Sequence, residues 1–280
     1  LTEQHLLKLT DVSVKVLDTG GNERVSILRS VSSSMKRGEW VSLLGGNGSG
    51  KSTLAKTIAG LPIEGMTGMF KRSGGSAEQS PIVLQHPDAG LVGATPWEDV
   101  ILMLEQWGSI EGSRIPALAE KALRAVGLGD RLQQPIDTLS GGQKQLTAIA
   151  GCLAASPELL ILDEVTAMLD PDMSAYVIRE VRRLNEEGMT VLWITQKLEE
   201  LESRDRVWVM SEGKLVYDDF AHGLFRRSEP GTSDSTAEAF GFEAPYAVQV
   251  GWELETRGIR LPYLPLRIRE LEEAVAANGG

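Results

Sequence analysis

Residues 6–17 and 25–35 alternate apolar and polar side chains, most plainly in Val12-Ser13-Val14-Lys15-Val16. A period of two marks strands buried on one face. Gly20-Gly21-Asn22 between the two stretches predicts a turn. Trp40 to Leu44 is a short apolar run that meets a glycine cluster, and a helical pattern follows from about Lys51 to Leu61. Residues 95–128 read as helical, with breaks at Gly108, Gly112 and Pro116. From Leu146 the expected order is helix, buried strand over 159–163, helix over 172–187, strand over 189–195 and helix over 197–202. Strands alternating with helices predict an α/β fold with a parallel sheet and helices on its faces.

The polar run 226–236, Arg-Arg-Ser-Glu-Pro-Gly-Thr-Ser-Asp-Ser-Thr, has no periodicity and predicts a linker. Beyond it, 246–257 and 267–276 read as two short helices. The expected organisation is a main domain over 1–225, a linker over 226–236 and a small helical extension over 237–280. No internal repeat is visible. The chain has 280 residues, which at about 150 per domain gives roughly two domains.

Composition narrows the function. Apolar residues make up 42% and charged residues 24%, which excludes a mostly disordered, collagen-like or coiled-coil chain. The net charge is 28 − 39 = −11, which opposes general nucleic-acid binding. The single cysteine, Cys152, allows no disulfide within the chain and fits a reducing compartment. No stretch approaches the run of about 18 apolar residues that a membrane span needs. Leu146 to Ala155 is among the densest and is too short. The start of the sequence has no basic segment followed by an apolar one, so no signal peptide is expected. A role at a membrane would require docking on a partner.

The strongest motif is Gly45-Gly46-Asn47-Gly48-Ser49-Gly50-Lys51-Ser52-Thr53, which matches G-x-x-x-x-G-K-[ST]. Its context is right: an apolar strand before it and a helical pattern after it. Glycines let backbone N–H groups turn inward around phosphate oxygens, and the new helix adds its positive end. Lys51 has the reach for the β- and γ-phosphates, and the Ser52 hydroxyl suits Mg²⁺. A chance lysine after a glycine-rich turn is the bland alternative, and the context outweighs it.

Leu159-Leu160-Ile161-Leu162-Asp163-Glu164 is a buried strand that ends in two carboxylates. Asp163 suits Mg²⁺, and Glu164 suits polarising an attacking water. Alone, the run would read better as a strand entering a solvated acidic turn. Leu139-Ser140-Gly141-Gly142-Gln143 opens a helix, and Ser140 with Gln143 also reads as a capping box. The two glycines would leave that helix end bare for a phosphate.

Together with Gln85 and Asp170, these motifs resemble the ATP-binding cassette (ABC) ATPases over about residues 5–220. The resemblance implies a P-loop NTPase fold: a RecA-like core, an antiparallel β subdomain and a helical signature subdomain over about 95–150. It implies ATP and Mg²⁺ as ligands, with Ser52, Gln85 and Asp163 at the metal. It implies a head-to-tail pair, each ATP lying between one chain's Lys51 loop and the other's Ser140–Gln143 segment. Asp170 is similar to the aspartate that crosses between the two sites. Gln85-His86-Pro87-Asp88, Val92-Gly93-Ala94-Thr95, Glu98-Asp99-Val100 and Thr166-Ala167-Met168-Leu169-Asp170-Pro171 resemble the ATPases of energy-coupling factor (ECF) importers of vitamins and metals. So does the tail, with Gly241-Phe242, Pro245, Trp252–Gly258 and Leu266 to Leu271. That group's tail helps hold the ATPase pair together. Its partners are a second ATPase, a membrane coupling subunit and a membrane subunit that selects the substrate. The location implied is peripheral, at the cytoplasmic face of the cell membrane. The region 95–128 is the implied docking surface for a membrane subunit, with Trp97 and Trp107 as candidate contacts, although tryptophans at helical spacing more often belong to the core.

Three positions depart from the family pattern. Gln196 stands after Val191-Leu192-Trp193-Ile194-Thr195 where the family has a histidine. An amide can donate a hydrogen bond but cannot carry a proton. The chain's own site, with Glu164 and Gln196 as its reacting groups, is therefore expected to hydrolyse slowly. Val12 to Val16 offers no aromatic ring to stack on adenine. Leu146 stands where the family has arginine. An unequal pair, in which a different partner supplies the histidine, is favoured over a homodimer. The alternative is a regulatory nucleotide-binding half with little hydrolysis of its own. A soluble cassette acting on DNA or ribosomes is disfavoured: Lys51 and Ser140 are only 140 − 51 = 89 residues apart, with no heptads between them.

Overall fold

The computed structural model describes residues 5–17, 24–73, 79–84, 90–106, 110–227 and 234–278. Its strands are β1 (His5–Leu17), β2 (Arg24–Lys36), β3 (Trp40–Gly45), β4 (Met66–Arg72), β5 (Ile82–Val83), β6 (Leu159–Asp163), β7 (Thr190–Ile194), β8 (Arg206–Ser211) and β9 (Lys214–Phe220). Its helices are α1 (Lys51–Ile58), α2 (Pro96–Gln106), α3 (Ile115–Ala125), α4 (Gly141–Ala154), α5 (Pro171–Glu186), α6 (Ala221–Leu224), α7 (Thr236–Ala239), α8 (Tyr246–Thr256) and α9 (Ile268–Asn278). The chain divides into two units, each built from separated segments: Leu1–Trp40 with Ser52–Ile194, and Val41–Lys51 with Thr195–Gly280.

The first unit holds the antiparallel sheet β2-β1-β4 and the parallel strands β5, β6 and β7. Strand β6 is apolar and buried on both faces through Leu162, as a strand covered by helices must be. Helices α2, α3 and α4 pack together around a core that includes Val100, Leu104, Leu123, Leu146, Ile149, Leu160 and Leu162. Leu146, the residue in place of arginine, is therefore a core side chain. Trp40 stacks on Trp193 with centroids 5.4 Å apart, and the Arg182 guanidinium lies 3.6 Å over the Trp40 ring. Cys152 is buried in the same core, and burial pushes its thiol up to about 12, so it is chemically quiet.

The segment leading into α2 shows why its residues are particular. The buried Asp99 carboxylate accepts the N–H groups of Val92 (2.7 Å) and Gly93 (3.0 Å). Glu98 accepts the Ala94 N–H, and Thr95 accepts the Glu98 N–H. A Cβ on Gly93 would lie 2.3 Å from the Asp99 nitrogen, so only glycine fits there.

In the second unit β3 pairs parallel with β8, and β8 pairs antiparallel with β9. Helices α6, α7 and α8 share its core, in which Leu44, Val207, Val209, Phe225, Val248, Trp252 and Leu266 are buried. Three polar contacts fasten the C-terminal helices. Arg267 donates to the carbonyls of Glu200 (2.7 Å) and Leu201 (2.9 Å) and to the Glu202 carboxylate. Glu270 accepts from the Ser203 N–H and hydroxyl and from the Leu266 N–H. Arg227 pairs with Glu238 while lying 3.6 Å over the Trp252 ring, and the Trp252 indole N–H donates to Phe225 O.

Several expected elements shift. The helix expected over 197–202 is only a 3-10 turn, Leu198–Glu200, because Leu198 and Glu200 are drawn into the interior and the chain extends again at Leu201. Pro116 does not break a helix but lies in the first turn of α3, where its missing N–H costs nothing. Strands β4, β8 and β9 go beyond the expected elements. Gly20-Gly21-Asn22, Gly108 and Trp107 lie outside the described residues, as does 228–233 of the expected linker.

The Arg227 guanidinium, against the opposing effect of burial, holds Glu238 down to about 2, and Ser235 adds two hydrogen bonds. Burial alone would raise Glu270, but the bonds from Ser203, Leu266 and Arg267 keep it below its ordinary value. A carboxylate that titrates lower when folded contributes fully above its unfolded value and loses that contribution as the pH falls toward its folded value. Glu270→Gln is expected to lose about 1–2 kcal/mol in denaturant melts at pH 7. The gap to the parent should shrink below about pH 4.5. A gap that widens on acidification would contradict this.

Candidate functional site: a phosphate loop and a carboxylate strand end

The phosphate loop belongs to the second unit up to Lys51. All six residues of β3 are buried, and Gly45 pairs with Met210 of β8 at the strand's end. There the backbone turns sharply, with φ 153 at Gly45, 75 at Gly48 and 103 at Gly50, values suited to glycine. A Cβ on Gly45 would lie 2.5 Å from Met210 O and 2.6 Å from Ser49 Oγ. The Ser49 N–H donates to Gly46 O and closes the loop, while the Gly213 N–H donates to Ser49 O. Lys51, 6% exposed, opens α1. Its ammonium donates to Gly45 O at 2.8 Å and Gly46 O at 3.1 Å. Gly46, Asn47 and Gly48 are exposed, and the Gln196 amide donates to Asn47 Oδ1 at 3.1 Å.

The first unit carries the acidic part. Ser52 Oγ donates to Asp163 Oδ2 at 3.1 Å, which joins the start of α1 to the end of β6. Glu164 follows at φ 52, a left-handed conformation costing about 1–2 kcal/mol for a residue with a side chain. Its N–H donates to Ile194 O. The strain sits at the residue that follows the strand. Hydroxyl and carboxylate oxygens are hard donors, so the Ser52–Asp163 pair fits a small divalent cation. Thr53 is half-buried, and its carbonyl accepts from the Thr57 hydroxyl inside α1.

The Ser140 segment is a true capping box. Ser140 Oγ accepts the Gln143 N–H at 3.3 Å, and the Gln143 side chain accepts the Ser140 N–H at 3.0 Å. The hydroxyl accepts here, which leaves its own proton for another oxygen. The two glycines differ. Gly141 is exposed, whereas Gly142 is buried, and a Cβ there would lie 1.9 Å from Met173 Cγ. Close approach to α5 therefore requires glycine at 142, a packing reason beyond that of a bare helix end. Asp170 is the N-cap of α5, where its carboxylate accepts the Met173 N–H at 2.9 Å.

The structure thus brings Gln196 to Asn47 in one unit and Ser52 to Asp163 in the other. Gln85 and His86 lie outside the described residues, but their neighbour Leu84 accepts from the buried Gln145 amide at 3.2 Å. Sequence reasoning did not find the link of Asn47 to Gln196, 149 residues apart, and no local pattern signals it. Nor did it find the Met210 carbonyl that forbids a side chain at Gly45.

The chain is similar to known proteins. The ABC transporter family profile matches residues 28–167. An energy-coupling factor transporter ATP-binding protein, EcfA, of Methanosarcina acetivorans is 36% identical over 245 residues, covering 84% of this chain and 86% of its own length. An EcfA1 protein of Symbiobacterium thermophilum is 39% identical over 251 residues, covering 86% of this chain and 85% of its own. Among solved structures, cbiO1 of Clostridium perfringens, part of the ABC transporter complex cbiONQ, is similar with a TM-score of 0.66 at 25% identity, over 91% of this chain and 96% of that one. The ATP-binding cassette MJ0796, solved as a dimer in a post-hydrolysis state bound to ADP and Pi, gives 0.62 at 25% identity, over 76% and 98%.

Two glycine substitutions test the loop. Gly45→Ala should weaken triphosphate binding by at least about 10-fold in equilibrium titration, because the turn itself must move. Gly46→Ala, whose Cβ would meet nothing within 4 Å, should leave binding within about threefold. Equal losses in both variants would contradict this reading.

Proposed function

Since the chain belongs to the ABC transporter family, with energy-coupling factor ATP-binding proteins among its relatives, we propose that it is the ATP-hydrolysing subunit of an ECF-type importer of a vitamin, metal ion or related small molecule. The observation that carries the reading is the loop itself: a buried lysine drawn over the carbonyls of Gly45 and Gly46, one residue before the Ser52–Asp163 pair.

Each residue then has a task. The N–H groups of Gly46 to Ser52 surround the β- and γ-phosphates. Lys51 trades its carbonyl partners for phosphate oxygens. Ser52 and Asp163, with Gln85, hold Mg²⁺, which when bound neutralises charge on those oxygens. Glu164 orients the attacking water and takes its proton. In a head-to-tail pair, Ser140, Gly141, Gly142 and Gln143 complete the partner's site, the Ser140 hydroxyl donating outward. Asp170 lies near that crossing and keeps the turn before α5 rigid as its cap.

Gln196 favours an unequal pair. Its amide is a neutral donor, and in this structure it holds Asn47 of the phosphate loop. A histidine there could carry a positive charge to the γ-phosphate; glutamine cannot. A heterodimer with a partner that keeps the histidine gives one fast site and one slow one. The second reading, a regulatory half that binds MgATP and leaves hydrolysis to its partner, rests on the same residue. No helix among the described residues is long and apolar enough to cross a membrane, so work at the cytoplasmic face would run through membrane subunits. The tail, 237–280, serves pairing of the two ATPases, and nucleic acid has no part.

Single-turnover ATP hydrolysis by the chain tests this assignment. Gln196→His should raise the rate, on the order of 10- to 1,000-fold, the range for one transition-state donor. Glu164→Gln should abolish hydrolysis and retain ATP. No rise with histidine would overturn the role given to Gln196, and unchanged hydrolysis in the Glu164 variant would overturn that of Glu164.

A further inference from the structure

The second unit contains an open cavity of about 960 Å³ that the nucleotide site does not use. Its walls come from the turn after Glu202, from α6, from α8 and from the loop and helix of 258–273. The volume lies at the upper end of the range for small-molecule sites, about 300–1,000 Å³.

The floor is fixed. Trp252 is 9% exposed, its indole N–H bonded to Phe225 O, and Arg227 lies flat over the ring while its other side pairs with Glu238. Glu270 is held by Ser203 and Leu266. Leu261, Pro262 and Tyr263 add an apolar wall beside this floor.

The rim is different. Among the described residues, Arg204, Arg226 and Arg260 line the cavity with no ion pair and no side-chain hydrogen bond. Of the four carboxylates around them, Glu202 pairs with Arg267 and Glu273 with Arg269, while Glu270 is held only by a hydroxyl and backbone N–H groups and Glu255 by no ion pair. Three guanidiniums without an ion pair therefore face two carboxylates without one, which leaves an excess of one positive charge at the mouth of a chain of net charge −11. Guanidinium forks recognise carboxylate and phosphate bidentately, and they stack on flat rings.

We propose that this cavity is a second ligand site, for a small organic polyanion: phosphate or carboxylate groups gripped by Arg204, Arg226 and Arg260, and a flat apolar body resting against Tyr263, Leu261 and the Arg227–Trp252 stack. The site is independent of the ATP loop and goes beyond the transport role. A ligand there bridges the turn at Ser203 to the C-terminal helices and stabilises the C-terminal part of the chain by mass action.

The probe is pyranine, a planar aromatic trisulfonate, added to the full chain carrying Lys51→Ala so that the phosphate loop does not compete. Fluorescence anisotropy should show one saturable site with a Kd on the order of 10–100 μM at low salt, weakening as salt rises. Arg204→Ser with Arg260→Ser should weaken it by at least about 10-fold. Arg226→Gln alone should weaken it less, and Arg257→Ser, whose guanidinium pairs with Glu253, should not change it. Tripolyphosphate or citrate should displace the dye, and displacement by neither overturns the proposal. No saturable binding below about 1 mM overturns the proposal. So does binding that survives the double substitution, or that falls equally with Arg257→Ser.

Discussion

A buried ammonium sets the terms of the phosphate loop. Lys51 is 6% exposed, and a charge held away from water costs several kcal/mol unless hydrogen-bonded oxygens replace its hydration. Gly45 O and Gly46 O supply those oxygens only because the backbone turns at the end of β3 as no residue with a Cβ could. The need for glycine at 45 follows in turn from the register of β3 against β8, which puts Met210 opposite it. A loop built this way is already curved around a charge. On the proposed function, the lysine exchanges one set of oxygens for another when phosphate arrives, and little of the backbone needs to reorganise, as preorganised electrostatics requires.

Gln196 alters that arrangement without dismantling it. Glutamine at this position offers a neutral amide, and that amide is attached to Asn47 of the loop. Glu164 is retained, strained at φ 52, whereas Gln196 cannot carry a proton. On the function proposed above, such a site still binds ATP and hydrolyses it slowly. The Ser140 capping box meanwhile is complete. On the proposed function, an intact Ser140 segment combined with glutamine at 196 favours an unequal pair.

Much of this was legible in the residues. The glycine turn after β3, the strand that ends at Asp163 and the capping box each answer a local backbone demand, so short motifs report their backbone form. Helices α5, α8 and α9 follow their apolar spacing closely. The failures share a cause. The 197–202 segment has helical composition, but burial of Leu198 and Glu200 and the grip of Arg267 on the Glu200 and Leu201 carbonyls leave it one 3-10 turn. Gly142 looked like a bare phosphate-binding position and is also a packing glycine against Met173. The Arg267 and Glu270 clamps join residues more than 60 apart, and no periodicity carries such information.

If this chain powers a membrane importer as one half of an unequal ATPase pair, its companions in the membrane will show it. The decisive experiment is to isolate it from gently solubilised native membranes and identify what accompanies it. The account predicts a second, different ABC ATPase that carries the histidine this chain lacks, together with integral membrane proteins, the smaller of which would name the substrate. Recovery of this chain as the only ATPase, or with no membrane protein at all, would contradict it.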